Sequence, residues 1–241
     1  GRLLSVKLVR PLLIEGPQVI AADINISVLK QTFGDLIYEV KSKNLILREL
    51  NIIDSKSIKE FFADEKMLDG AVNVTYPRSR SYGKHFFEVE VDGFNENMAL
   101  HLGSMFLFTQ QCAAYFTEHR LDFSLVNIAS IYGCITPNFE IYEGTSMTVP
   151  IEYAAIKSAT IHTSKYVAKY VNDSAFRVNT VSPGGILDEQ PERFLGAYRA
   201  QTLGKGMLDA EDVCGAIVFL LSGGSKFVNG QNIIVDDGFS L

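Results

Sequence analysis

The sequence predicts an α/β protein whose mostly parallel, doubly wound sheet is covered by helices on both faces. Short runs rich in Val, Ile and Leu alternate with stretches of helical period along the chain. The runs are near-continuous in apolar residues rather than alternating, as strands buried on both faces must be. The 241 residues suit one large α/β domain, 1–241, and no repeat, low-complexity tract or linker divides them.

In chain order, 18–23, 44–50, 69–74, 124–130, 176–182 and 232–236 read as strands. Between them, 55–63, 93–118, 152–171 and Ala210–Leu221 carry apolar residues at helical spacing, the last preceded by Asp209 as an N-cap. A β-α-β alternation of this kind implies right-handed crossovers. The opening residues are helical in pattern, and Pro11 is expected to kink or end that helix because proline removes a hydrogen bond and clashes with the preceding turn. Strand 18–23 has the place of a second strand in a dinucleotide-binding unit, so the first strand and most of a glycine-rich turn are expected to precede Gly1. Segment 135–150, polar and aromatic with Pro137, Gly144 and Pro150, has no clear period and reads as a loop of functional length.

Composition narrows the function classes. With 47% hydrophobic and 21% charged residues the chain can bury a large core. Its formal net charge of −6, with both signs interspersed, lacks the positive field that nucleic acid or an anionic membrane surface would require. No apolar run reaches the ~18 residues that span a bilayer, and no signal-peptide pattern opens the chain, so the cytoplasm is the expected location. Cys112, Cys134 and Cys214 are far apart and outside any Cys-x-x-Cys motif, and buried or unreactive thiols are expected. His85, His101, His119 and His162 form no ligand spacing, so no metal site is expected.

Chemistry centres on Tyr153-Ala154-Ala155-Ile156-Lys157 near the start of a helix. Residues four apart share a face, which places a phenol beside an ammonium. A free phenol titrates near ~10, and a neighbouring positive charge favours phenolate, so the pair can exchange a proton with an alcohol or carbonyl. A tyrosine and a lysine four apart also arise by chance on solvated helix faces. Here a strand ending in Asn127-Ile128-Ala129-Ser130 precedes them and another ends in Ser182-Pro183-Gly184-Gly185, so three features converge on the carboxyl edge of the sheet, where ligands of this architecture bind.

With Asp23 after an early strand, Ser130, Tyr153 with Lys157, Pro183-Gly184 and the closing Gly230-Gln231-Asn232-Ile233-Ile234-Val235-Asp236-Asp237-Gly238, the chain resembles the short-chain dehydrogenase/reductase family over nearly its whole length. The resemblance implies a single Rossmann-like NAD(P)-binding domain and a nicotinamide-dependent oxidoreductase. It implies that Ser130 hydrogen-bonds the substrate oxygen, that Tyr153 passes the proton, and that Lys157 holds the nicotinamide ribose while lowering the tyrosine pKa. Gly1 matches the last glycine of the family's Thr-Gly-x-x-x-Gly-x-Gly turn, where backbone approaches pyrophosphate. Asp23 can accept hydrogen bonds from the adenosine ribose and repel a 2′-phosphate, favouring NAD over NADP; as an alternative it is an N-cap or turn aspartate. Asn51, Ile52, Asn73, Pro183, Gly184 and Ile186 complete the implied cofactor contacts, with Tyr153 and Lys157.

The chain departs from the family in four places. Asn-Asn-Ala-Gly becomes Asn73-Val74-Thr75-Tyr76, the usual Asp-Val becomes Asn51-Ile52, and the threonine after Pro-Gly is displaced by Asp188. A catalytic asparagine before Leu-x-Gly becomes His101, which either holds a proton-relay water or is a histidine hydrogen-bonded to backbone in a helix interface.

Ser130 and Tyr153 stand 23 positions apart, more than is usual in the family, and the surplus is 135–150, a substrate-loop insertion. The basic stretch holding Arg78, Arg80, Lys84 and His85 is either a solvated loop or a phosphate clamp. Substrate contacts are expected from Ser130, Arg78, Arg80, Asn138, Glu140 and Tyr142. Within the family, Tyr76-Pro77-Arg78, residues 127–133, 139–144 and 184–188 resemble bacterial oxidoreductases of surface-glycan synthesis, in particular those of flagellin modification, linked to precursors of nonulosonic (legionaminic) acids. That implies a secondary alcohol or ketone of an amino sugar, sugar phosphate or nucleotide sugar as substrate. The alternatives are an epimerase or dehydratase using NAD as a transient oxidant, and a non-catalytic dinucleotide sensor or scaffold. No nucleic-acid or membrane partner is expected, and the resemblance implies a homotetramer or homodimer.

Overall fold

Among the described residues parallel pairing governs every strand ladder. The computed structural model describes residues 2–36, 40, 42 and 44–241. β1 (Val19–Asp23) pairs with β2 (Leu45–Glu49), and β3 (Gly70–Asn73), β4 (Phe123–Ile128), β5 (Phe176–Pro183) and β6 (Asn232–Val235) pair in that order. All these strands therefore end at one carboxyl edge, with Asn73 opposite Asn127 and Pro183 opposite Val235. Observed strand limits lie within two residues of those expected. The largest difference is at β4, which stops at Ile128 because Ser130 caps a tight turn, Ile131–Gly133.

The helices are α1 (Arg2–Ile14), α2 (Ile26–Thr32), α3 (Ser55–Asp64), α4 (Val91–Asn97), α5 (Gly103–His119), α6 (Ile151–Val171), α7 (Glu192–Arg199) and α8 (Ala210–Leu221). Asp209 and Asp212 form a reciprocal capping box at the start of α8, as the sequence leads one to expect of Asp209.

Side chains alternate across β4 and so divide the core in two. Phe123 and Leu125 pack with Ile58 and Phe62 of α3 and with Phe108, Cys112 and Phe116 of α5. Val126 packs on the other face with Leu4 and Leu8 of α1 and Val213, Ile217 and Leu220 of α8. Each such buried side chain contributes about 1.5–3 kcal/mol, which makes the two-faced burial the main stabilising feature of the sheet.

Two expectations are corrected here. The opening helix does not end at Pro11 but continues to Ile14. Leu4 and Leu8 are buried in the α8 cluster, and Val9 packs in a second cluster with Val19 and Leu29. Their burial offsets the ~3 kcal/mol that an interior proline costs a helix. The stretch expected as one helix over 93–118 is α4 and α5 joined by a π-helical turn, Met98–Leu102.

β1 and β3 are not bonded to each other among the described residues. Between their edges runs a cavity of about 1590 Å³, reaching from Asp23, Asn51 and Thr75 at the carboxyl edge to Asp69, Ser174 and Lys226 at the opposite edge. Gly1, the glycine assigned to the phosphate-binding turn, lies outside the described residues.

Candidate active site

The site is built where β4 and the start of α6 meet. Pro150, at φ −62°, is the N-cap of α6, so Tyr153 falls in the first helical turn. Lys157 follows one turn later, buried at 4% exposure, and its Nζ donates to the Ile128 carbonyl over 2.8 Å. Ser130 is also buried; its Oγ accepts from the Tyr132 N–H at 3.3 Å and is hydrogen-bonded to the Tyr153 side chain. Gly133 lets the turn carrying Ser130 lie against α6, since a Cβ there would stand 2.6 Å from the Lys157 carbonyl carbon.

Burial dominates the electrostatics. It holds the Tyr153 phenol above its ordinary value, opposed by the Ser130 hydrogen bond. It pushes Lys157 down to about 7. It pushes His101 down to about 3, helped by the positive charge of Lys157. Near pH 7 the phenol is therefore protonated, the imidazole is neutral and Lys157 is close to its midpoint. The lowering influence on Tyr153 comes from Ser130, whereas the family resemblance led us to expect it from Lys157.

An aromatic cluster surrounds this centre. His101, on the π-helical turn and 4% exposed, meets the Tyr76 ring edge-on at 4.9 Å, and Tyr153 meets the same ring at 5.8 Å. The hydroxyls of Tyr76 and Tyr82 are hydrogen-bonded, and the Arg78 guanidinium lies 5.7 Å and 5.9 Å from their ring centroids. On the other side Tyr132 and Tyr142 share a hydroxyl hydrogen bond of 2.9 Å. Burial raises all four of these phenols, Tyr142 to about 12, so they are neutral hydrogen-bonding groups. Tyr76, Tyr82 and Tyr132 were not among the site residues expected from sequence. The signals available were the tyrosine at the position of a family glycine and the tyrosine two residues after Ser130.

Segment 135–150 is anchored rather than free. It holds a short 3-10 turn, Phe139–Tyr142, and Ile141 is buried with Ile131, Phe194, Tyr198 and Phe239. Asn138 caps that turn by accepting from the Glu140 N–H, and Glu140 is exposed. Helix α7, not expected from sequence, supplies Phe194 and Tyr198, and the Tyr198 hydroxyl accepts from the Gly185 N–H at 2.5 Å.

The remaining expected residues line the carboxyl edge. The Asp23 carboxylate is exposed and accepts from the Asn25 N–H at 2.9 Å, the bond of a turn aspartate. Asn51 accepts from the Ile53 N–H, while Ile52 packs against the core. Asn73 is bound to both the N–H and the hydroxyl of Thr75. Pro183 ends β5, and the Gly184 N–H donates to Val235. Ile186 bridges to Leu208. Arg80 is exposed. Cys112 and Cys214 are buried, with the Cys112 thiol raised by burial, whereas Cys134 is exposed rather than buried and accepts from the Asn232 amide at 3.2 Å. Among the described residues no group of His, Cys, Asp and Glu could hold a metal ion, and no helix is long and apolar enough to cross a membrane.

Comparison with known proteins agrees with this geometry. A family model described as enoyl-(acyl carrier protein) reductase matches residues 5–240. The chain is 40% identical over 227 residues to post-translational flagellin modification protein A of Campylobacter coli, covering 92% of this chain and 88% of that protein. It is 28% identical over 234 residues to the 3-oxoacyl-[acyl-carrier-protein] reductase FabG of Thermotoga maritima, covering 94% and 89% of the two chains. The structure of a short-chain dehydrogenase from Leptospira borgpetersenii with bound NAD+ superimposes with a TM-score of 0.83 at 28% identity, over 99% of this chain and 89% of the other. With a parallel sheet ending at one edge and a tyrosine and lysine one helical turn apart beside Ser130, the chain belongs to the short-chain dehydrogenase/reductase family of oxidoreductases.

Proposed function

We propose that this oxidoreductase moves a hydride between NAD, in preference to NADP, and a secondary alcohol or ketone of an amino sugar, sugar phosphate or nucleotide sugar used in bacterial glycan synthesis. The observation that carries the reading is the meeting of Ser130, Tyr153 and Lys157 at the carboxyl edge, flanked by neutral tyrosine hydroxyls and Arg78. The likeness to flagellin modification protein A supports the glycan setting.

The residues present fit a dinucleotide. Asp23 ends β1 and Asn51 follows β2 at the carboxyl edge, and at Gly184 a Cβ would stand 2.9 Å from both Asp236 and Tyr198, so the edge there is kept as backbone. Asp23 would hold the adenosine ribose, Asn51, Ile52 and Asn73 the adenine side, and Lys157 with Pro183, Gly184 and Ile186 the nicotinamide side. When bound, the nicotinamide supplies the hydride acceptor or donor. Ser130 orients the substrate oxygen, and Tyr153 gives its proton to a carbonyl in reduction or takes one from an alcohol in oxidation. The Ser130 side chain favours the phenolate form that the second direction requires. His101, neutral near pH 7, can both donate and accept, which suits a proton relay.

Segment 135–150 is the substrate loop in this reading, and with Arg78 and Arg80 it recognises an anionic, polyhydroxylated ligand. The protein works in the cytoplasm as a homotetramer or homodimer, for which light scattering above the mass of one chain is the check. The central test incubates the chain with NAD+ and a panel of sugar phosphates and nucleotide sugars. NADH is expected in step with substrate consumed, and Tyr153→Phe is expected to abolish it while NAD+ affinity stays within a few-fold. Turnover surviving that change within a few-fold of wild type refutes the assignment.

A further inference from the structure

A single ring touches three of the groups placed in the chemistry, although the family has glycine at that position. Tyr76 follows β3 on the loop over the carboxyl edge. His101 reaches it from the π-helical turn at 4.9 Å and Tyr153 reaches it from α6 at 5.8 Å, both near-perpendicular, at 88° and 80°. The Lys157 Nζ lies 5.6 Å from the centroid of the same ring and 5.7 Å from that of Tyr153. The ring is fixed from behind by its hydroxyl bond to Tyr82, itself edge-on at 5.7 Å.

We propose that Tyr76 is a positioning residue, whose ring sets the spacing of His101, Tyr153 and Lys157 and whose π face holds Lys157 as an ammonium. The proposal rests on the reading of Tyr153 and Lys157 given above.

The physical need is plain from the surroundings of Lys157. It is 4% exposed, and it donates to one backbone carbonyl, that of Ile128. No carboxylate contributes to its state; burial alone drives it down. The titratable and charged groups on the elements packed around it are the phenol of Tyr153 on its own helix, the neutral imidazole of His101 from the π-helical turn, the neutral phenols of Tyr76 and Tyr82 and the Arg78 guanidinium from the loop after β3, and the phenol of Tyr132 after β4, while the buried Glu152 carboxyl at the start of the same helix acts on Tyr82 and not on Lys157. A ring quadrupole is then an available source of attraction, and it is strongest where water is excluded. Because the Tyr76 phenol is itself raised by burial, the ring stays neutral throughout the working range. The sign follows: a group that favours ammonium raises the lysine pKa, so removing the ring lowers it further.

The test uses the full chain labelled with 13Cε-lysine, following the Lys157 signal by NMR as pH is varied, with Lys157→Met to assign it. Wild type is expected to titrate near 7. Tyr76→Phe keeps the ring and is expected to stay within a few tenths of a unit. Tyr76→Leu, and Tyr76→Met as a second filler of similar size, are expected to lower the midpoint by about one unit, a tenfold change. On a sugar substrate the same two variants should lose kcat by about tenfold or more with KM little changed, and Tyr76→Phe should restore it. An unmoved Lys157 midpoint in folded Tyr76→Leu or Tyr76→Met overturns the proposal. A chain that turns over no sugar in wild type overturns the functional reading instead, because the titration is read without substrate.

Discussion

Replacing Lys157 by methionine should make the protein more stable and inactive, and the gain should fade as pH rises. The magnitude follows from burial. Lys157 titrates at about 7 in the folded chain against a reference of 10.5, a difference of 10.5 − 7 = 3.5 units. Between those values the unfolded chain binds more protons, so stability rises with pH through the window. At pH 7 the wild type carries a penalty of about 4 kcal/mol from this group, at about 1.36 kcal/mol per unit. At pH 9.5 the penalty is about 1.4 kcal/mol, and above pH 10.5 it is nearly gone. Methionine fills the same volume with no charge to desolvate, and every other titrating group is common to both proteins. Urea unfolding of the two at pH 7 and pH 9.5 should show the stability difference shrinking by about 3 kcal/mol. A difference that stays constant with pH would mean that Lys157 is not held in a charge-disfavouring site, and the account of the site's electrostatics would fail.

Three other outcomes are expected. Asp23→Ala should weaken NAD+ more than NADP+ in calorimetric binding, since ribose hydrogen bonds and repulsion of the 2′-phosphate are lost together; an unchanged ratio leaves Asp23 as the turn residue its bond to Asn25 makes it. Replacing Arg78 and Arg80 together by alanine should raise KM for a phosphorylated sugar several-fold with NAD+ affinity intact, and equal kinetics would leave the basic stretch as a solvated loop. Tyr198→Phe strips the acceptor from the Gly185 N–H, costing about 2 kcal/mol and lowering Tm by roughly 4–8 °C in differential scanning calorimetry.

Much of the fold was legible because the strands are buried on both faces and their apolar runs announce them. The Val19-Ile20-Ala21-Ala22 run of β1 shows no polar alternation to blur its reading, whereas β5 is buried from Phe176 to Pro183 although Arg177, Asn179, Thr180 and Ser182 interrupt its apolar residues. Tyr153 and Lys157 were legible because four residues along a helix fix a shared face whatever surrounds it. The missed features depend on contacts far apart in sequence. α7 has eight residues behind Pro191, too short for its period to stand out, and its Phe194 and Tyr198 acquire meaning only against Ile141 and Phe239. Pro11 does not end its helix because the propensity rule is overridden by the burial of Leu4, Leu8 and Val9. Tyr76 was visible as a substitution, but its partners at 101, 153 and 157 are brought to it by three different elements.

The π-helical turn at Met98–Leu102 acts as a phase corrector between two lengths of helix. Asn97 before it is 1% exposed, donates toward the buried Glu152 and accepts from the Ser79 N–H, while Met105 after it is 3% exposed and faces the core. In a regular helix eight residues make two turns plus about 80°, which would put these two positions on different sides. The extra residue in the wider turn takes up that excess, so both ends bury the same side and His101 is carried between them toward Tyr76. Spacing in this stretch is therefore under tighter constraint than identity. A point change at Ala99 or Leu100 alters one contact, whereas the gain or loss of a single residue would turn α4, with Asn97 and its hold on the loop after β3, out of step with α5.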